Sequence, residues 1–167
     1  NWKVTVVDTG LMTNTGGRIK KVAEYIGNEP FMLTYGDAVG DVDLSKLLEC
    51  HKKENKLVTM TCYNFGQSKG VIDFNSDGTV KAFREKSDMD GDLINIGFMV
   101  VEPKVLDLIK DDITPFEVSP LRELAEFGEV NAYIHHGFWQ CMDTLREKEK
   151  LEKLWASGKA PWKIWKD

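Results

Sequence analysis

Among the residues of this sequence suited to chemistry, Asp37 comes first, in the run Thr34-Tyr35-Gly36-Asp37. It closes the apolar stretch 31–35, and in open α/β sheets ligands gather beyond the carboxyl ends of the strands. A carboxylate there, after a glycine that lets a ligand approach, suits Mg²⁺, which takes carboxylate and phosphate oxygens together. The same Gly-Asp pair is also an ordinary turn. Asp143, in Met142-Asp143-Thr144-Leu145-Arg146, reads by itself as a helix N-cap, a role that Thr144 fills equally well. Asp41-Val42-Asp43 has the D-x-D spacing with which metal-dependent glycosyltransferases hold Mn²⁺ beside a nucleotide-sugar diphosphate. Three letters are weak evidence, and Asp43 has the simpler task of capping the helix that follows. Asp88 to Asp92 imitates a calcium loop, but Leu93 and Met99 stand where such a loop needs Gly and Glu, so it reads as solvated.

A second group is built for anions and sugars. Thr13, Thr15, Gly16, Gly17 and Arg18 lie directly before a helical pattern. Amides of a Gly-Gly turn and of a helix start favour anions, and Arg18 offers a bidentate grip on phosphate. A capped helix start with a solvent-facing arginine explains the same letters. Glu85-Lys86 pairs an acceptor with a cation, as a sugar hydroxyl next to a phosphate requires. Asn95 sits in an apolar run, where an unpaired amide costs roughly 1–3 kcal/mol, so it either pairs internally or faces a ligand. His135, His136, Trp155, Trp162 and Trp165 read as packing, and no Ser-His-Asp or Cys-His arrangement assembles.

The elements that must carry these groups alternate between strand and helix. Residues 4–7 read as a strand and 18–26 as an amphipathic helix, with apolar positions 19, 22, 23 and 26. Residues 31–35 have the continuous apolar pattern of a buried central strand. A helix capped by Asp43 follows through Leu44, Leu47, Leu48 and His51, then a strand over 57–62. Residues 71–74 and 79–83 flank an Asp77-Gly78 turn and predict a hairpin. The longest strand is expected over 93–101, a Pro103-started helix through Ile109, a helix over 121–127 ended by Gly128, a strand over 130–134 and a charged helix over 144–156. The result is one α/β domain, 1–167, with a mixed, mainly parallel sheet flanked by helices.

Composition bounds the rest. A chain of 167 residues with 42% hydrophobic and 29% charged residues is an ordinary globular domain. Its net charge of −5 argues against nucleic acid or an anionic membrane as general partners. No apolar run approaches the roughly 18–20 residues that span a bilayer. Cys50, Cys62 and Cys141 are scattered and odd in number, which fits a reducing cytoplasm rather than disulfides or zinc. The opening in mid-strand, without Met, leads us to expect that residues precede Asn1.

Taken in order, seven stretches resemble the sugar-1-phosphate nucleotidylyltransferases, and the cytidylyl-transferring members most closely. They are Val7-Asp8-Thr9-Gly10, Thr15-Gly16-Gly17-Arg18, Thr34-Tyr35-Gly36-Asp37, Phe83-Arg84-Glu85-Lys86, Asn95-Ile96-Gly97-Phe98, Gly137-Phe138-Trp139-Gln140 with Met142-Asp143-Thr144-Leu145-Arg146, and Gly158-Lys159-Ala160-Pro161-Trp162-Lys163. The resemblance implies a GT-A, Rossmann-like nucleotidyltransferase fold lacking its N-terminal part. It implies that Asp37 and Asp143 are the catalytic carboxylates that hold Mg²⁺. It matches Thr13, Arg18 and Gly36 to nucleotide or substrate contacts, and Glu85, Lys86 and Asn95 to the sugar-phosphate side. The implied reaction joins CTP and α-D-glucose 1-phosphate into CDP-glucose and pyrophosphate, for surface-polysaccharide supply, in a homo-oligomer.

The departures are specific. The family's Gly-x-Gly-Thr-Arg loop and its Lys-Pro segment, which cradle the triphosphate, read the base and supply a lysine, do not occur in this sequence. Glu85-Lys86-Ser87 replaces Glu-Lys-Pro, and 64–69 replaces a Pro- and Arg-containing loop. The expectation is therefore a chain that keeps metal and sugar-phosphate ligands but is inactive alone. Two rival readings are a non-catalytic sugar-phosphate-binding or assembly module, and a D-x-D glycosyltransferase using Asp41 and Asp43.

Overall fold

The computed structural model describes residues 2–64, 71–84 and 93–166. In chain order its elements are α1 (Thr15–Lys21), α2 (Ala23–Ile26), β1 (Phe31–Leu33), β2 (Ala38–Gly40), α3 (Leu44–Glu54), β3 (Val58–Asn64), β4 (Val71–Phe74) and β5 (Val80–Arg84). They continue with β6 (Leu93–Asn95), β7 (Met99–Val101), a 3-10 turn at Pro103–Leu108, α4 (Leu121–Glu126), β8 (Val130–His135), β9 (Trp139–Cys141) and α5 (Leu145–Ala156). The chain divides into two compact units that interleave in sequence: 1–35, 43–60 and 98–133 form the first, and 36–42, 61–97 and 134–167 the second.

The first unit holds a hydrophobic core of Ile19, Val58, Met99, Val101, Val105, Leu106, Ile109, Phe116, Leu121 and Leu124. The helical spacing read at the start of the chain is what feeds it: Ile19 is buried, and Ala23 and Ile26 pack against it, although the helix breaks at Val22. β7 lies between β1 and the first part of β3, antiparallel to both, with Phe31 opposite Val101 and Val58 opposite Val101. α3 starts as expected at Asp43, whose side chain accepts the Lys46 N–H at 3.1 Å. That bond and the Lys46 ammonium hold the Asp43 carboxyl below its ordinary value.

The second unit carries three short antiparallel pairings: the later part of β3 with β6, the hairpin β4–β5, and the ribbon β2–β9. Val39 and Met142 from the ribbon meet Leu151 and Trp155 of α5 and Trp162 of the tail around an apolar hollow of about 300 Å³. Trp162 stacks on Phe138 at 5.5 Å and on Trp155 at 6.5 Å between ring centroids, so the tail aromatics do pack.

Several expectations are corrected. Every pairing with a described register is antiparallel, not mainly parallel, because alternating elements tell where a strand begins but not which way the chain returns through the sheet. Residues 4–7 form no strand. Val4 and Val6 stand in solvent, and a β-branched run becomes a strand only when another backbone pairs with it. The run 31–35 gives a three-residue edge strand rather than a central one, with Met32 turned outward. The expected strand 93–101 is cut in two by left-handed residues, Gly97 at φ 76° and Phe98 at φ 50°, which no extended strand contains. The expected helix from Pro103 tightens into a 3-10 turn.

Candidate functional site

The two aspartates singled out by the sequence, more than a hundred residues apart, are brought to one end of one ribbon. β2 and β9 pair with Ala38 opposite Cys141 and Gly40 opposite Trp139. The ladder extends one step beyond β2, where the Met142 N–H donates to the Asp37 carbonyl at 2.9 Å. Facing residues in an antiparallel pair have Cα atoms about 4.5–5.5 Å apart. Asp37 faces Met142, so Asp143 is the next residue along and a backbone neighbour. Both aspartates are exposed, and a Cβ added to Gly36 would meet open space. The arrangement offers hard oxygen donors on an accessible edge, the donor type that Mg²⁺ selects.

Asp143 is not the helix cap. Thr144 takes that place: its Oγ1 accepts the Glu147 N–H at 3.3 Å, and Glu147 reaches back to the Thr144 N–H at 2.9 Å. This capping box was legible as Thr144-x-x-Glu147, and it leaves Asp143 outside the helix. Cys141, Asp143 and Glu147 present donor atoms within 4.8 Å of one another. The Cys141 thiol donates to Glu147 at 3.6 Å, and burial together with the Asp143 and Glu147 carboxylates pushes its pKa up. It therefore stays a neutral thiol near neutral pH. Lys150 donates to the buried Gln140 side chain at 2.6 Å, tying α5 to β9.

The D-x-D aspartates serve the fold. Asp41 accepts the Phe138 N–H at 2.7 Å and pairs with buried His135 at 3.1 Å, closing the other end of the ribbon. A side chain on Gly137 would run into that carboxylate and the His135 ring. Asp43 caps α3. Neither resembles an open metal ligand.

Thr13 and Arg18 belong to the first unit, and Gly36, Asp37, Asn95 and Asp143 to the second. Buried Thr13 donates to the Thr9 carbonyl at 2.5 Å and accepts from Lys21, while exposed Arg18 donates to the Thr9 hydroxyl at 2.6 Å. The expected Gly-Gly turn is helix instead. Gly16 and Gly17 are buried where a Cβ would strike the backbone of Thr114 and Asp112, and the Gly16 N–H already donates to Thr114. Their bareness serves close packing, not a phosphate cradle. Asn95 accepts the Gly97 N–H at 3.0 Å, an internal partner at the bend. Glu85 and Lys86 lie outside the described residues, as do the loop 88–92 and most of the segment 64–69.

One carboxylate was missed. Glu117 accepts from the Tyr35 hydroxyl at 2.7 Å through one oxygen and from the Thr15 hydroxyl at 2.8 Å through the other. Thr15 in turn accepts the Phe116 N–H at 2.9 Å. No local signal marks Glu117, because its partners lie some 80 and 100 residues away.

Comparison with known proteins matches the chain to a family. The family described as Nucleotidyl transferase matches residues 2–154. The chain is 49% identical over 165 residues to the glucose-1-phosphate cytidylyltransferase of Salmonella typhimurium, covering 98% of this chain and 64% of that protein. It is 41% identical, with the same coverage, to a probable glucose-1-phosphate cytidylyltransferase of Bacillus subtilis. The chain thus spans just under two thirds of the length of the curated relatives it matches. Among solved structures, UDP-glucose pyrophosphorylase complexed with UDP-glucose has a TM-score of 0.66 at 18% identity, covering 91% of this chain and 65% of that one. HddC from Yersinia pseudotuberculosis has a TM-score of 0.61 at 20% identity, covering 83% and 60%. These likenesses show the α/β nucleotidyltransferase fold.

Proposed function

We infer the function from one premise: this chain belongs to the nucleotidyl transferase family. We propose that it is part of a glucose-1-phosphate cytidylyltransferase, transferring a cytidylyl group from CTP to α-D-glucose 1-phosphate and releasing pyrophosphate, in the supply of nucleotide sugar for surface polysaccharide. The placement of Asp37 and Asp143 at the same end of the β2–β9 ribbon supports this reading. The relatives at 49% and 41% identity bear the activity in their names and support the choice of base and sugar. Asp37 and Asp143 would hold Mg²⁺, which when bound offsets the negative charge of the phosphates.

The chain's own residues do the rest by position. Sugar-phosphate oxygen attacks the α-phosphorus in line, and such transfers ask the protein for alignment and charge more than for covalent chemistry. Gly36 leaves room for a ligand to approach the ribbon end. Arg18 and Thr13 on the α1 side are assigned to the nucleotide or the substrate, and Asn95, Glu85 and Lys86 to the sugar phosphate. In this reading the protein works in the cytoplasm as a homo-oligomer. Among the described residues, no helix is long and apolar enough to cross a membrane.

Divalent-ion binding tests the site directly. Mn²⁺, a spectroscopic substitute for Mg²⁺, should bind the chain in an electron paramagnetic resonance titration. Asp37→Asn and Asp143→Asn should each remove that binding, whereas Asp41→Asn should leave it. Retention of Mn²⁺ by either Asp37→Asn or Asp143→Asn refutes the site.

A further inference from the structure

We infer that Glu117 is a positioning residue that sets the Tyr35-Gly36-Asp37 turn by tying it to the start of α1; this deepens the function proposed above and rests on it. Both carboxylate oxygens of Glu117 are used, one by the Tyr35 hydroxyl and one by the Thr15 hydroxyl. Tyr35 is only two residues from Asp37. Thr15 opens the helix that carries Arg18, and follows Thr13 by two residues. Within the first unit a single side chain therefore ties the residue before Gly36 to the start of α1.

The surroundings make the tie stiff. Thr15 is held from the other side by the Phe116 N–H, and the neighbouring Asn14 and Gly16 N–H groups donate to the carbonyls of Asp112 and Thr114 at 2.7 and 3.1 Å. Phe116, next to Glu117, is 1% exposed in the core. Glu117 thus projects from a segment that cannot shift without disturbing the core, and its half-buried carboxylate makes charge-assisted bonds, the stronger kind. Gly36, by contrast, brings no side chain to pack, and a Cβ there would meet open space. Asp37 is held from the β9 side by the Met142 N–H on its carbonyl, and on the side before it Tyr35 is the nearest residue held at its tip.

The test measures Mn²⁺ affinity and thermal midpoint together on this chain. Glu117→Ala is expected to weaken Mn²⁺ binding roughly two- to tenfold, the equivalent of one or two lost hydrogen bonds. Glu117→Gln should recover most of it, since a carboxamide offers an oxygen to one hydroxyl and an N–H₂ to the other, which can accept. Tyr35→Phe should give a smaller loss, and carries the test should Glu117→Ala fail to fold. A role confined to stability would lower the thermal midpoint and leave Mn²⁺ affinity unchanged in Glu117→Ala and Tyr35→Phe; that result overturns the inference. Asp37→Asn separates the two levels. If it abolishes Mn²⁺ binding while Glu117→Ala binds normally, only the positioning role is lost. If Asp37→Asn binds Mn²⁺ like the parent chain, the metal reading fails and this inference falls with it.

Discussion

Glu147 shows how one side chain beside a candidate site serves the fold. The Thr144 hydroxyl and then the Thr144 N–H hold its carboxyl below the ordinary value of 4.5. A carboxyl with a lowered pKa in the folded state stabilises fully above its unfolded pKa and stops stabilising as pH falls through the folded one. The thermal midpoint should therefore drop as pH is taken down from about 5, and Glu147→Gln should flatten that slope. Asp43, lowered by the Lys46 N–H and ammonium, acts in the same direction and window, so Asp43→Asn provides an independent comparison. Thr144→Ala removes the cap itself and should cost about 1 kcal/mol in denaturant unfolding. A Thr144→Ala variant as stable as the parent would mean that α5 does not depend on this box.

At the scale of elements, the sequence was most readable where structure follows from near neighbours. The stripe at 19, 23 and 26, the Asp43 cap and the Asp77-Gly78 hairpin all appear as expected. It was least readable where three-residue strands matter. Ala38–Gly40 and Trp139–Cys141 are too short to show a period, yet they form the ribbon that brings Asp37 beside Asp143. Gly16 and Gly17 read as a turn because glycine permits one; only packing reveals that their purpose is contact with 112–116. Gly17→Ala places a methyl against the Asp112 backbone and should destabilise the chain by about 1–3 kcal/mol, the usual range for overpacking. Calorimetry would check it, and an unchanged midpoint would show that α1 can move aside. Gly36→Ala, in open space, should by contrast leave stability nearly unaltered.

For the whole molecule, the length of the relatives sets the expectation. This chain matches 64% of them and carries no Gly-x-Gly-Thr-Arg loop. Given CTP, glucose 1-phosphate and Mg²⁺, it should release little or no pyrophosphate alone while still binding Mn²⁺. Turnover at the rate of a full-length relative would contradict that expectation. Family, the candidate acids and most of the longer elements were present in the linear text, because motifs, caps and amphipathic periods are written in residues a few positions apart. Strand direction, the division of 93–101 at Gly97 and Phe98, the arrival of Asp37 and Asp143 at one end of a ribbon, and the tie from Glu117 to Tyr35 and Thr15 were decided only by the tertiary structure. Most of those features depend on which group satisfies which hydrogen bond between residues far apart in the chain, and the energy of such a pairing exists only once the chain has closed the loop between its partners.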